Sequence, residues 1–391
     1  RQDMKILYLS SSSDWHIDLW AQYFSKNHSV YLFSDKENYL DDQSFEGVAV
    51  NHSAGLLGGI LNFFGIKSHK LFQINKLISA KYYAFRVDAL IKSENIEVVH
   101  AHNLYYGYVA SFLKAKVPVI FTPMGSDIII HAQNNFVYRH MAHQAFYKAA
   151  VVTGDSLLVQ KRGYEVGAKA ERNYIIQNGV DSSIFYPKDN SLKKDFHIGE
   201  DEFLFFSPRA ITPLYNIDII LDALHTLKKS NHRFKCMFSF AFGGPYYSKL
   251  KQKVNMLGLK DYVVWLGYVK YEDMQLYYNA SDLVISVPTS DSSPKSVYEA
   301  MFCGKPVIIS DLEWSHELLD ELECVCRVDV RNADQLTDSI KRILDNPEFA
   351  QKISQNSLHL SHKFFDYKTN MKKMERIMLD IIEEPHLSGP D

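Results

Sequence analysis

Cysteine is scarce in this chain: Cys236, Cys303, Cys324 and Cys326 are the only four in 391 residues. That number is too small for a disulfide framework. Cys324-Val-Cys326 lacks both the C-x-x-C spacing and the second pair that a zinc site would need. Long apolar runs are missing too, and none reaches the roughly 18 residues of a spanning helix. No leader-like segment precedes "MKILYLS" (4–10), so residence in the cytoplasm is the expectation. There is no Asp-x-Asp triple. His131, His140 and His143 have no carboxylate at a spacing that would complete a metal set, so no metal is expected. Charge of one sign is also absent. The 43 Lys/Arg and 46 Asp/Glu leave a net −3, which excludes the overall basic signature of a nucleic-acid binder. Up to Pro187 there are 18 Lys/Arg against 16 Asp/Glu, and beyond it 25 against 30, so only the first half leans toward anionic surfaces.

What is present is alternation. "MKILYLS" (4–10), "SVYLFS" (29–34), "VVHAHN" (98–103), "VPVIFTPMG" (117–125) and "VVTGDS" (151–156) read as strands separated by helical segments. After a polar stretch the pattern restarts with "FLFFSPR" (203–209), "FKCMFSFAFG" (234–243), "YVVWLGYV" (262–269), "DLVISV" (282–287) and "KPVIIS" (305–310). Strands separated by helices of this length form parallel, doubly wound sheets. The expected organisation is an α/β domain over 1–187, a linker over 188–202, a second α/β domain over 203–365, and a C-terminal helix, 366–391, crossing back toward the first. Two such domains leave a cleft, and ligands sit outside the carboxyl ends of the strands. One stretch, "AGLLGGILNFFGIKSHK" (54–70), joins apolar residues to Lys67, His69 and Lys70. It reads either as a buried segment or as a patch dipping into an anionic membrane surface.

"PTSDSSPKSVYEAMFCG" (288–304) places polar residues at the carboxyl end of a strand, ahead of an apolar helix. Ser293 suits the N-cap and Pro294 the first helical position. The first-turn amides and the helix dipole suit phosphate. Glu299 follows Lys295 by four residues and Ser296 by three, so the three share a helix face. A carboxylate there can accept two hydroxyl hydrogen bonds, as a ribose diol would offer, and Asp291 is placed for another polyol. Phosphate donors with two hydroxyl-binding carboxylates describe a nucleotide-sugar site. The plain alternative is a turn and helix in which Glu299 pairs locally with Lys295.

The run from Tyr262 to Ser310, "YVVWLGYVKYEDMQLYYNASDLVISVPTSDSSPKSVYEAMFCGKPVIIS", resembles the retaining glycosyltransferases of family 4. "QNGVDSSIFYP" (177–187), "FTPMGSDI" (121–128) and "VVHAHN" are similar to further motifs of that family. The resemblance implies the GT-B architecture, two Rossmann-like domains facing each other across a cleft, and transfer of a sugar with retention. The co-substrate would be a UDP- or GDP-sugar, with no other cofactor and no metal. The acceptor would be a sugar or lipid-linked glycan hydroxyl at the inner membrane face, in surface-glycan or glycolipid assembly. It further implies that Glu299 binds the ribose, Asp291 the donor sugar, and Arg209 the diphosphate. Ser293, Pro294, Lys295, Ser296 and Val297 would line the sugar and diphosphate. From the first domain, Gly125, Ser126, Asp127 and the "SSSSDW" loop with Ser13 would face the cleft. His100 and His102 are expected to point alternately, and His102 is taken as the inward one, contacting substrate. Tyr105, Tyr106 and Tyr108 are candidates for stacking on an acceptor sugar.

Three departures from the family pattern stand out. Leu214-Tyr215-Asn216 replaces the phosphate Lys, Met124 replaces a His, and Asp291 a Glu. Asn216 is counted with the donor site, and Lys295 is the candidate for the missing cation. A nucleotide-sugar epimerase of the same architecture and a non-catalytic nucleotide-sugar binder remain open. A dinucleotide oxidoreductase is disfavoured, because no G-x-G-x-x-G follows the first strand.

Overall fold

The computed structural model describes residues 3–11, 15–34, 48–52, 69–199, 201–239, 243–317 and 319–383. The chain divides into two compact units, residues 1–178 with 369–391, and residues 179–368. Among the described residues, the first unit carries a seven-stranded sheet. Its strands are β1 (Lys5–Leu9), β2 (Ser29–Ser34), β3 (Val48–His52), β4 (Val98–His102), β5 (Val119–Thr122), β6 (Val151–Gly154) and β7 (Asn173–Ile175), in the order β3-β2-β1-β4-β5-β6-β7. The second unit holds β8 (Phe203–Ser207), β9 (Phe234–Ser239), β10 (Val263–Gly267), β11 (Leu283–Ser286), β12 (Val307–Ser310) and β13 (Cys326–Val328), in the order β10-β9-β8-β11-β12-β13. Every pairing is parallel. The central strands are buried on both faces, which is why they read as continuous apolar runs.

Strand order reverses between β1 and β4 in the first unit and between β8 and β11 in the second. These switch points put the loop after β4 in one unit, and the loops after β8 and β11 in the other, where a doubly wound domain receives its ligand.

The division of the chain differs from the sequence expectation. The second unit begins at Gly179, not after Pro187, and residues 188–202 are no free linker. A short helix, Leu192–Asp195, forms within them, Leu192 and Phe196 pack on the second unit's core, and Lys193 Nζ pairs with Asp282 at 2.6 Å. The two ends of this unit lie side by side. Val180 N–H donates to Phe365 O and Tyr367 N–H to Val180 O. Gly179 has φ +73° and a Cβ there would lie 2.7 Å from Tyr367 Cα, so only glycine fits. The last helix, Tyr367–Glu383, is tied to the first unit by Glu375, whose Oε1 lies 2.8 Å from His28 Nε2.

His100 and His102 do not alternate. Residues two apart on a strand share a face, and the two rings lie 4.2 Å apart, both against Trp20 and Tyr8. Both are buried. His100 Nε2 lies 2.7 Å from Thr122 Oγ1. Burial, with His102 beside it, holds the His100 pKa well below the usual imidazole range. His102 is thus part of a packed aromatic cluster. Tyr105, Tyr106 and Tyr108 are core as well, at 9%, 2% and 6% exposure, which leaves no face for stacking on a sugar.

Candidate functional site

Glu299 organises the second unit's site. It lies on the helix Lys295–Phe302, with 4% of its surface exposed. Tyr278 Oη donates to Glu299 Oε2 at 2.8 Å, and the Tyr271 hydroxyl also hydrogen-bonds to this carboxyl. Burial raises the Glu299 pKa to about 7, while Lys295, the two phenols and Arg209 pull it back down. A carboxylate offers about four acceptor positions. Two phenols therefore leave two, the number a ribose diol requires. Lys295 Nζ sits over the Tyr271 ring, 4.6 Å from its centroid, and burial lowers its pKa against the pull of Glu299 and Asp181. Lys295 is thus placed beside the Glu299 carboxyl.

Arg209 follows β8 and reaches across to the β11 loop. Its Nη2 donates to Asp291 Oδ2 at 2.7 Å and its Nη1 to Ser296 Oγ at 2.9 Å, while its guanidinium lies 4.2 Å from the Tyr215 ring centroid. The side chains of Arg209 and Asp291 are only 10% and 16% exposed, so the pair is held where charges interact strongly. The other Asp291 oxygen accepts the Ser292 amide at 3.0 Å.

The turn Pro213–Tyr215 and the Asn216 that follows it have a structural task. Asn216 is fully buried and left-handed (φ 51°). Its Nδ2 donates to Val287 O and Thr289 Oγ1, and its Oδ1 accepts from Arg331 Nη1 at 2.7 Å. Thr289 N–H donates to Leu214 O. Asn216 therefore sews the β8 and β11 loops together and spends its side chain there, which corrects its placement among donor contacts. The helix start also differs from expectation. Pro294 is the N-cap, Lys295 the first helical residue, and the Ser293 hydroxyl donates to Tyr298 Oη at 3.4 Å instead of capping. The Val297 amide is committed to Pro294 O and its side chain to the core, so it presents nothing to a ligand.

In the first unit, Gly125 takes φ +53° and starts the turn after β5, accepting from Ile128 and Ile129 N–H. Ser126 is exposed at the N-cap of Asp127–His131. Asp127 accepts the Leu104 amide at 2.7 Å and the Met124 amide at 3.0 Å. Burial raises its pKa and these amides oppose that. Its carboxylate is bound to backbone, so it fastens the β5 turn to the helix Asn103–Ala110. Ser13 and residues 54–68 lie outside the described residues. Among the described residues no group of three or more His, Cys, Asp or Glu could hold a metal ion.

Tyr271, Tyr278 and Asp181 complete the surroundings of Glu299 and were not singled out in the sequence. A buried carboxylate demands donors, but which of 24 tyrosines supply them depends on the fold.

Comparison with known proteins agrees with this architecture. Residues 5–156 match the family described as Glycosyl transferase 4-like, and residues 188–359 the family Glycosyl transferases group 1. Among solved structures, Anabaena HepE in complex with UDP superposes with a TM-score of 0.78 at 18% identity, covering 96% of this chain and all of that one. The fold is therefore GT-B, of two Rossmann-like units. An uncharacterized glycosyltransferase of Methanocaldococcus jannaschii is 25% identical over 70% of this chain and 73% of its own length. The alpha-monoglucosyldiacylglycerol synthase of Streptococcus pneumoniae is 28% identical over 42% of this chain and 35% of its own length. The chain belongs to the family-4 type of GT-B glycosyltransferases.

Proposed function

We propose that the protein transfers a hexosyl group, with retention, from a nucleoside-diphosphate sugar to an acceptor hydroxyl of a glycolipid or lipid-linked glycan at a membrane surface. The carrying observation is the Glu299 carboxyl, buried between two phenols and beside the Arg209–Asp291–Ser296 constellation. Glu299 binds the ribose diol, Arg209 neutralises the departing diphosphate, and the Ser296 hydroxyl and nearby amides complete its cradle. Asp291 meets the donor sugar. A leaving phosphate on the same face takes the proton of the incoming hydroxyl, so the protein supplies position and charge stabilisation and no nucleophile. Uridine is the base we favour, because the similar HepE structure was solved with UDP. A glycolipid acceptor is supported by the similarity to a monoglucosyldiacylglycerol synthase.

The test is a panel of UDP, GDP, UDP-sugars and GDP-sugars, read as the rise in melting temperature each produces. The anomeric configuration of the product made from the stabilising donor is then read by NMR. Stabilisation by UDP and UDP-sugar, with an α-product from an α-donor, is expected. Stabilisation by neither nucleotide series, or a β-product, overturns the reading. Conversion of the donor to its epimer without acceptor would establish the epimerase instead.

A further inference from the structure

The helix His69–Glu94 turns an unusual face to solvent. Ile78 is 56% exposed and Phe85 69%. They are seven residues apart, as are Phe85 and Lys92, so all three lie along one line of the helix. Lys81, Arg86 and Lys92 flank them and are exposed. The adjoining turn continues the charge. Lys81 Nζ lies 5.4 Å from the Phe112 ring centroid, and Lys114 and Lys116 are exposed just beyond. The one carboxylate of residues 78–93, Asp88, is consumed by the Lys114 and Ala115 amides at 2.9–3.1 Å. Two large apolar side chains thus stand among five cations, and the nearest acid is turned to backbone.

We propose that this face of the first unit docks on an anionic lipid bilayer, with Phe85 and Ile78 entering the headgroup layer and the five cations meeting lipid phosphates. The arrangement fits a bilayer because, among the described side chains of this helix, the large exposed apolar ones are isolated knobs one helical heptad apart and not a continuous stripe that would seat a partner helix. Each cation near an anionic surface contributes roughly fivefold in partitioning. The inference rests on the reading of a membrane-borne acceptor but involves none of the residues placed at Glu299.

Sedimentation of the full chain with vesicles tests it, using phosphatidylcholine alone and phosphatidylcholine mixed with phosphatidylglycerol. Binding to the mixed vesicles only, weakened by salt, is expected. K81E together with R86E should lower it by at least roughly tenfold, and Phe85→Ser should weaken binding even at low salt. All these positions are exposed, so melting temperature and the UDP-induced shift should stay as in the parent chain. Equal binding to neutral vesicles, no binding, or undiminished binding by both variants overturns the proposal. Loss of vesicle binding with an intact UDP response sinks only this inference, whereas vesicle binding without any nucleotide response sinks the transferase reading alone.

Discussion

Replacing Glu299 by Gln should stabilise the protein at alkaline pH while abolishing nucleotide binding. The carboxyl titrates near 4.5 when unfolded and at about 7 in the fold, chiefly through burial. A folded-state pKa above the unfolded one means the native state holds the proton more tightly. Its contribution is therefore complete at pH below 4.5 and is lost as pH rises to 7. At about 1.4 kcal/mol per pH unit, the ionised Glu299 costs the native state ~3 kcal/mol above pH 7. Gln keeps the shape and one carbonyl for a phenol but carries no charge, so the variant escapes that cost, less ~1 kcal/mol for weakened hydrogen bonds. Urea denaturation at pH 5 and pH 8 measures it. The variant should match the parent within about 1 kcal/mol at pH 5 and exceed it by ~2 kcal/mol at pH 8. At pH 8 UDP should raise the melting temperature of the parent and leave the variant unmoved. In the parent, UDP affinity should fall by about tenfold per pH unit below 7, as protonation removes the acceptor of the ribose diol. A stability difference that is the same at both pH values, or a variant weaker at pH 8, would refute the reasoning.

Arg209→Lys keeps a charge but loses the fork that spans Asp291 and Ser296. Donor turnover should drop on the order of a hundredfold with a much smaller loss of stability, read by steady-state kinetics beside a melting curve. Asn216→Ala should cost about 2–4 kcal/mol in urea denaturation, because Arg331, Thr289 and Val287 lose their partner and alanine resists the left-handed backbone. Asn216→Gly should recover only the backbone part. His100, neutral in the fold, gives stability that is complete above pH 6.5 and erodes below it by about 1.4 kcal/mol per pH unit. His100→Gln should flatten that acid limb, as followed by denaturation between pH 6.5 and 5.

The alternation of the central strands was legible because burial on both faces writes continuous apolar runs. The strands missed, β3, β7 and β13, are all at sheet edges. An edge strand packs against one neighbour, so three to five residues such as "NYI" or "CRV" suffice, and their pattern is too brief to separate from a loop. The stretch 188–202 looked like a linker because its polar residues outnumber Leu192, Phe196 and Ile198. Those few apolar side chains are spaced to touch one core, and that contact, invisible in composition, assigns the segment to the second unit. The histidine error was geometric: a period of two puts His100 and His102 on the same face, and the larger aromatics around them bury both.

In the site, Glu299 stood out in the sequence as a carboxylate set into an apolar helix, and Arg209 through the family resemblance; the fold brings Arg209 to Asp291 and Ser296 on the same strand-end cluster. The sequence could not separate polar side chains that answer ligands from those that answer backbone. Asp127 and Asn216 sit in loops with the same residue types and the same strand-end address as Asp291. Both are spent on neighbouring loops: Asp127 accepts the Leu104 and Met124 amides, and Asn216 is taken up by Val287 O, Thr289 and Arg331. Arg209 is too long for such local closure, and Glu299 is on a helix whose own backbone is satisfied, so each must find partners among side chains or a ligand. For Glu299 those partners are the phenols of Tyr278, 21 residues earlier, and of Tyr271, in the short turn before Tyr278's helix, and two phenols leave about half of a carboxylate's acceptor positions. Unfilled capacity on a group too buried to be served by bulk water is the physical mark of a binding residue. It emerges only when burial and hydrogen-bond partners are read together, which is why the proposed ligand contact falls on Glu299 and not on Asn216.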